Sequence, residues 1–443
     1  MTTIPHPVAF AQRALLLLFA ALPCLPVLAS GHEREREGAG PLAIRARKIL
    51  TSADSGPAVI DNGVLLMLDG KIQAIGPAHA VEIPEEYDVV DVGDKWLMPG
   101  LVDLHHHSAT GQLPFPADIN DMVYLTNPGL RASPTVVPDN KLLQRGVAGG
   151  VTSVLFIPGS GTNMGGQGVL LKIGEKRYEN MELRNPGSLK LAQAGNPERF
   201  TIGVGRSFMN WHTRNTFHRG RNYHAAWKAF EDGRGPKPEK DPQWEIFRAL
   251  FDHETQVSVH TQMYQVVLMT LTMVRRDLGL DAFIDHGSFD GYKTAALCQE
   301  LGVPAILGPR MIQNSRPPFI DQDGQIRGIA AAYQERGLEE IGFNTDCVDN
   351  GSFVTPPQEE LQLQAAMAVR YGFDDSMLQA VRGLTIVPAR AAGLDHRLGS
   401  LEVGKDADIV VIGGHPADPR NAVEMVFTNG RVVYDTDVDG RRW

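Results

Sequence analysis

Short runs in which apolar and polar positions alternate, broken by turn residues, dominate both ends of the chain. Residues 43–49, 64–68 and 71–75 read as strands near the amino end, with Asp69-Gly70 as a hairpin turn between the last two. Residues 408–412, 424–428 and 431–434 read the same way near the carboxyl end, with Asn429-Gly430 as the turn. Strands at both ends can complete one sheet around whatever lies between. Between them the pattern alternates strand and helix. A helical segment at 139–146 precedes a buried strand at 151–158, and a shorter strand follows at 168–173. Strands at 257–260, 282–286, 303–307 and 341–346 are interleaved with helical stretches at 264–278, 292–301 and 355–370. Repeated βα units predict a parallel sheet, and eight such strands close into a (β/α)8 barrel with its chemistry at their carboxyl ends. The fold class is therefore α/β, a TIM-type barrel with a small β-sandwich formed by both chain ends.

This divides the 443 residues into a β-sandwich part at 42–98, a barrel at 99–395 and a second sandwich part at 396–443. Residues 1–29 differ: Arg13 is the one charge, 14–22 is an unbroken apolar run, and Val27-Leu28-Ala29 offers a cleavage site. That is the layout of a secretory signal peptide, which predicts a periplasmic or secreted protein with no stable membrane insertion after cleavage. Residues 30–41, rich in Glu, Arg and Gly, read as a linker. A net charge of −10 argues against nucleic acid as a partner. After cleavage Cys298 and Cys347 remain, too few for a disulfide framework.

The chemistry centres on Trp96 to Ser108, WLMPGLVDLHHHS. Pro99-Gly100 marks a turn, and the apolar run after it leads into three histidines. On a strand, Asp103, His105 and His107 share one face and His106 takes the other. Two imidazoles spaced this way can hold one metal ion. His260 ends VSVH, His286 ends AFIDH and Asp346 ends IGFNTD, so the same chemistry recurs at three further strand ends. Imidazoles suit zinc and similar ions. A carboxylate at the last strand can bind metal and take a proton from water.

These segments resemble those of the metal-dependent amidohydrolases, and most of all the imidazolonepropionase-related branch. The resemblance rests on PGLVDLHHH at 99–107, GVTSVLFIPGSGTNMGGQG near 150–168, His260, His286, Thr345-Asp346 and LGSLEVGKDADIVVI at 398–412. It implies one or two divalent ions, Zn2+ first among them, and hydrolysis of amide, cyclic amide or dipeptide-like C–N bonds. It also implies roles by position: His105 and His107 with Asp346 around the more buried ion, and His260 with His286 around a second. Lys190, in GSLKLAQAGNPERF, stands where such proteins carry a bridging lysine carboxylated by carbon dioxide. Ala194-Gly195-Asn196 replaces the acidic pattern of relatives and excludes a glutamate ligand there. Cys347 stands where relatives often have His, and reads as a packing residue or a thiolate ligand.

Two segments remain. GSGTNMGGQG at 159–168 lacks the GK[ST] ending of a phosphate loop and reads as a tight loop approaching the site. Residues 206–224 concentrate Arg206, Arg214, Arg219 and Arg221 with three histidines. They are expected to form a loop at the mouth of the barrel, with Arg206, Arg214 and Arg219 binding an anionic small-molecule substrate. A solvated surface or a homo-oligomer contact is the competing reading. A deaminase of the same superfamily, or a non-catalytic binding relative, remain the alternatives to an amide hydrolase.

Overall fold

The computed structural model describes residues 40–110, 124–138, 140–193, 205–309, 311–314, 326–348 and 358–441. The expected signal peptide lies outside the described residues, as does the linker but for its last two positions. Among the described residues, no helix is long and apolar enough to cross a membrane.

The amino-terminal strands are β1 (Leu42–Leu50), β2 (Val59–Leu68), β3 (Lys71–Pro77), β4 (Asp88–Asp91) and β5 (Trp96–Pro99). The barrel strands follow: β6 (Leu101–His106), β7 (Val151–Phe156), β8 (Met164–Lys172), β9 (Glu182–Ala192), β10 (Gln256–Thr261), β11 (Ala282–His286) and β12 (Ala305–Leu307). A small hairpin, β13 (Ile312–Asn314) with β14 (Ile326–Gly328), precedes the last barrel strand, β15 (Ile341–Phe343). The chain ends on β16 (Ile409–Ile412), β17 (Val423–Thr428) and β18 (Arg431–Asp435).

Both chain ends build one sheet, as the alternation predicts: β18-β17-β16-β5-β1-β2-β3, with β4 also on β1. Ile44, Ile49, Leu65, Met67, Leu97, Ile409, Val411 and Phe427 form its core. The two hairpin turns have Asp69 and Gly70 at φ 51° and 76°, and Asn429 and Gly430 at φ 50° and 73°. Positive φ at both central residues is what a two-residue hairpin needs, hence Asp-Gly and Asn-Gly. Both turns dock on Ala407 of the GKDAD run: the Ala407 amide donates to the Gly70 carbonyl at 2.8 Å, and the Gly430 amide to the Ala407 carbonyl at 2.9 Å. Beside it Asp406 and Asp408 receive Lys172 of β8, at 2.7 and 3.1 Å. The run thus fastens the terminal sheet to the barrel.

The barrel order is β15-β12-β11-β10-β9-β8-β7-β6. It nearly closes where the His107 amide donates to the Cys347 carbonyl at 3.0 Å. One part of the βα expectation fails. β8 is longer than the short strand expected at 168–173 and runs antiparallel to both β7 and β9. Residues 157–163 are too few for the crossover that a parallel neighbour requires. Residues 206–224 form no loop either; they belong to a 26-residue helix, Arg206–Glu231.

Candidate active site

β9 and β10 show how the strand period builds the site. Leu189, Leu191, Val257 and Val259 pack with Phe217, Ile246 and Phe247 of the surrounding helices. The alternate residues Ser188, Lys190, Ser258 and His260 therefore face the barrel interior, and the Ser188 and Ser258 hydroxyls touch at 3.1 Å. Lys190 is fully buried there, with Nζ 3.2 Å from His105 Nε2. On β6, Asp103 holds the strand end in place. Its Oδ1 accepts from the His105 amide at 3.2 Å, and its Oδ2 accepts from the Thr345 hydroxyl at 2.6 Å. Thr345 precedes Asp346, so this bond ties the first barrel strand to the last ligand candidate. β15 itself stops at Phe343, three residues before Asp346.

His286 and Asp346 both have left-handed backbones, φ 69° and 50°. Only a few per cent of non-glycine residues adopt that region, and residues held there cluster at functional sites. Here it turns two side chains back over the end of the barrel. His105, His286 and Asp346 then offer ligand atoms that all lie within 4.8 Å of one another. Asp346 Oδ1 is 3.2 Å from His105 Nε2 and 3.4 Å from His107 Nε2. The two imidazole nitrogens are 3.1 Å apart. His286 Nε2 is 2.9 Å from His260 Nδ1, which the Ser160 hydroxyl also reaches at 2.9 Å. The structure thus gathers His105, His107, Lys190, His260, His286 and Asp346. Ser160 puts the glycine-rich loop at the site through a side chain.

Backbone carbonyls fix two of the ring tautomers. His107 Nδ1–H donates to the Ile157 carbonyl, and His286 Nδ1–H to the Gly308 carbonyl, each at 2.8 Å. In the neutral rings Nε2 then carries a lone pair facing the site. Burial pushes the pKa of His105, His260 and His286 down, which favours the neutral form. Burial alone would raise the Asp346 carboxyl. His107, His286 and the Lys190 ammonium outweigh it and hold the pKa below the usual carboxylate range. The result is acceptor facing acceptor: imidazole lone pairs and a carboxylate oxygen at contact distance. Such a set fits a divalent cation, with N and O donors of the kind zinc takes. Asp346 is also the most exposed of these side chains, at 22%.

One residue escaped the sequence reading. Asp285, directly before His286, is fully buried, with Oδ1 3.3 Å from His105 Nδ1. A regular strand would send neighbours to opposite faces, and the left-handed His286 breaks that rule. The arginine assignments also change with the helix. Arg206 begins it and reaches Gln265 at 3.2 Å, beyond the carboxyl end of β10. Arg214 lies 3.5 Å from Asp277. Arg219, about 20 Å further along the helix than Arg206, stacks 4.6 Å over the Trp244 ring. No mouth loop presents all three together. Cys347 is buried, its Sγ 3.4 Å from the Ser108 hydroxyl and its carbonyl spent on closing the barrel.

Fold and site together define a TIM-type barrel with a candidate metal centre at the carboxyl end of its strands. The amidohydrolase family profile matches residues 322–442. The chain is 24% identical over 413 residues to an imidazolonepropionase of Methylobacterium sp. (strain 4-46), covering 87% of this chain and 95% of that one. It is 26% identical over 424 residues to the amidohydrolase tasK of Hapsidospora irregularis, covering 86% of this chain but only 40% of that longer protein. Among solved structures, an amidohydrolase from Thermotoga maritima MSB8 superposes with a TM-score of 0.77 at 27% identity, over 89% of this chain and all of that one. The chain thus carries an amidohydrolase-family match towards its carboxyl end, has imidazolonepropionases and amidohydrolases among its homologues, and has structural neighbours in the amidohydrolase superfamily.

Proposed function

We propose that this protein is a metal-dependent hydrolase that cleaves a C–N bond in a small cyclic amide or dipeptide-like substrate. The observation that carries the reading is the 3.1 Å contact between His105 Nε2 and His107 Nε2, both facing Asp346 Oδ1. His105, His107, His260, His286 and Asp346 would hold one or two divalent ions, zinc by the nature of the donors. Bound there, such an ion lowers the pKa of water and polarises the scissile carbonyl. The protein's own part follows from the geometry. The Ile157 and Gly308 carbonyls keep two rings aimed. Asp346, ionised and partly open to solvent, takes the proton of the attacking water and passes it to the departing nitrogen. Lys190 sits where a second anionic ligand would balance two cations, and its amine, neutralised, can take up carbon dioxide to form a bridging carbamate.

The test is metal analysis of the purified protein, followed by a panel of cyclic amides and dipeptides with and without chelator. The expected result is one or two equivalents of zinc, chelator-sensitive turnover and recovery on adding zinc back. Ammonia release from the same panel separates deamination from amide cleavage. Full turnover in metal-free protein would overturn the reading.

A further inference from the structure

Residues 157–163, which turn the chain from β7 into the antiparallel β8, are all buried. Buried backbone must find partners, and this loop is pinned at both ends. The Ile157 amide donates to the His106 carbonyl at 3.1 Å, and the Ile157 carbonyl accepts from His107 Nδ1 at 2.8 Å. At the other end the Asn163 side-chain amide donates to the Ala192 carbonyl of β9 and to the Thr213 hydroxyl of the helix Arg206–Glu231, each at 2.9 Å. The Asn163 carbonyl accepts from the Ala192 amide at 2.7 Å. The turn also folds tightly on itself: a Cβ at Gly165 would meet the Gly159 carbonyl and the Pro158 ring at 3.0 Å. A loop held in this way presents its side chains at fixed positions.

Ser160 stands in the middle of it, 6% exposed. Its hydroxyl lies 2.9 Å from His260 Nδ1, and that nitrogen lies 2.9 Å from His286 Nε2. His286 commits its Nδ1–H to the Gly308 carbonyl, so its Nε2 offers a lone pair. His260 Nδ1 is therefore set between a lone pair and a hydroxyl. A hydroxyl both donates and accepts. With the site empty it donates to Nδ1 and keeps that nitrogen free of a proton. With a cation between the two rings, the hydroxyl proton turns away and its oxygen lone pairs face the charge. Donors on one ion, at bond lengths near 2.1 Å, stand about 3.0–3.5 Å apart. Contacts of 2.9 Å admit such an ion after shifts of about a few tenths of an ångström.

Two imidazoles alone are too few for such a site, since a catalytic zinc keeps three protein ligands. We infer, resting on the metal-dependent reading above, that Ser160 Oγ is the third protein donor of the ion held by His260 Nδ1 and His286 Nε2. The hydroxyl is neutral, so Lys190 keeps its part as the anionic bridge.

The experiment uses cobalt(II) as the probe, with absorption spectra and equilibrium dialysis of the full chain. A thiolate bound to cobalt gives a near-ultraviolet charge-transfer band that an alcohol does not. Ser160→Cys is expected to develop this band, beyond the wild-type spectrum, as cobalt is added. Ser160→Ala is expected to hold one cobalt equivalent at least about 10-fold more weakly than wild type, no less than the loss of a group that only orients a ligand. Such an orienting hydroxyl would weaken binding in Ser160→Ala but give no band in Ser160→Cys. Cobalt bound by Ser160→Cys without the band overturns the assignment and leaves the metal-dependent reading standing. Should Ser160→Cys fail to fold, a Ser160→Ala isotherm equal to that of wild type overturns it. Wild-type protein that takes up no cobalt overturns both.

Discussion

Oδ1 of Asp285 lies 3.3 Å from Nδ1 of His105, on the side of the ring away from Asp346 and His107. Burial pushes this carboxyl well above its usual pKa. A carboxylate behind a metal-ligating imidazole orients the ring and raises its basicity, and its loss costs roughly 10- to 100-fold in metal affinity. Asp285→Asn also removes a buried acid, which relieves a desolvation penalty. The two effects have opposite signs. We expect the metal-free variant to melt at or above the wild-type temperature while zinc binds 10- to 100-fold more weakly. A competition titration with a chromophoric chelator, beside a melting curve, reads both. Parallel losses in both would make Asp285 merely structural.

Asp346 combines a depressed pKa, a left-handed backbone and the largest exposure at the site. Asp346→Asn keeps the size and can still offer one oxygen, but cannot carry the proton. The expected fall in turnover is about 10²-fold or more, the scale of general acid–base work, with melting little changed. Near-normal turnover would remove Asp346 from the mechanism.

Lys190 is fully buried 3.2 Å from His105 Nε2. As a carbamate it would be the anionic bridge that two ions need. Lys190→Ala should then lose one metal equivalent and most activity, with partial rescue by short carboxylates in excess. Full metal content and full rate in this variant would leave the site mononuclear or bridged by another group.

The arginines separate into two kinds. Arg219 stacks on Trp244, an interaction worth about 0.5–1 kcal/mol at an exposed site. Arg206 reaches Gln265 near the catalytic end. Arg206→Ala should raise the Michaelis constant for an anionic substrate more than for its neutral analogue. Arg219→Ala should lower the melting temperature and leave that ratio unchanged. Equal kinetic effects of the two variants would argue against this division.

These residues also show how far the sequence could be read. The gathering of His105, His260 and His286 at one end of the barrel was legible because an apolar run ending in histidine is a local pattern. Lys190 became legible through resemblance, helped by Leu189 and Leu191 taking the other face of β9. Asp285 was hidden by the same alternation, since only the left-handed backbone of His286 brings neighbours to one site. β8 misled because its antiparallel course depends on loop length, not on its own pattern. The helix Arg206–Glu231 was obscured by Gly220 and by a face of arginines, histidines and asparagine. Gly220 is there for packing: a Cβ at that position would meet the Phe247 ring at 2.2 Å.

The acid limit of the fold should be visible at Asp406. Its Oδ2 accepts from Lys172 at 2.7 Å and Arg397 at 2.8 Å, and its Oδ1 from Lys71 at 2.5 Å. Burial would raise the carboxyl, but Lys172, Lys71 and Arg397 outweigh it and hold the pKa at about 2. In the unfolded chain it returns to an ordinary value near 3.8. Between these values the unfolded state binds more protons than the native one, so stability rises with pH. The contribution is complete above the unfolded value and is lost as pH falls through about 2. The shift corresponds to roughly 2.5 kcal/mol. Asp406→Asn lacks this contribution at every pH and leaves Lys172 facing Asp408 alone, 3.1 Å away. Urea unfolding of metal-free wild type and variant, from pH 6 down to the acid limit, gives the difference directly. The gap should be largest near neutrality and shrink steadily below pH 4. A gap that stays constant with pH would mean that Asp406 stabilises by packing and not by its charge.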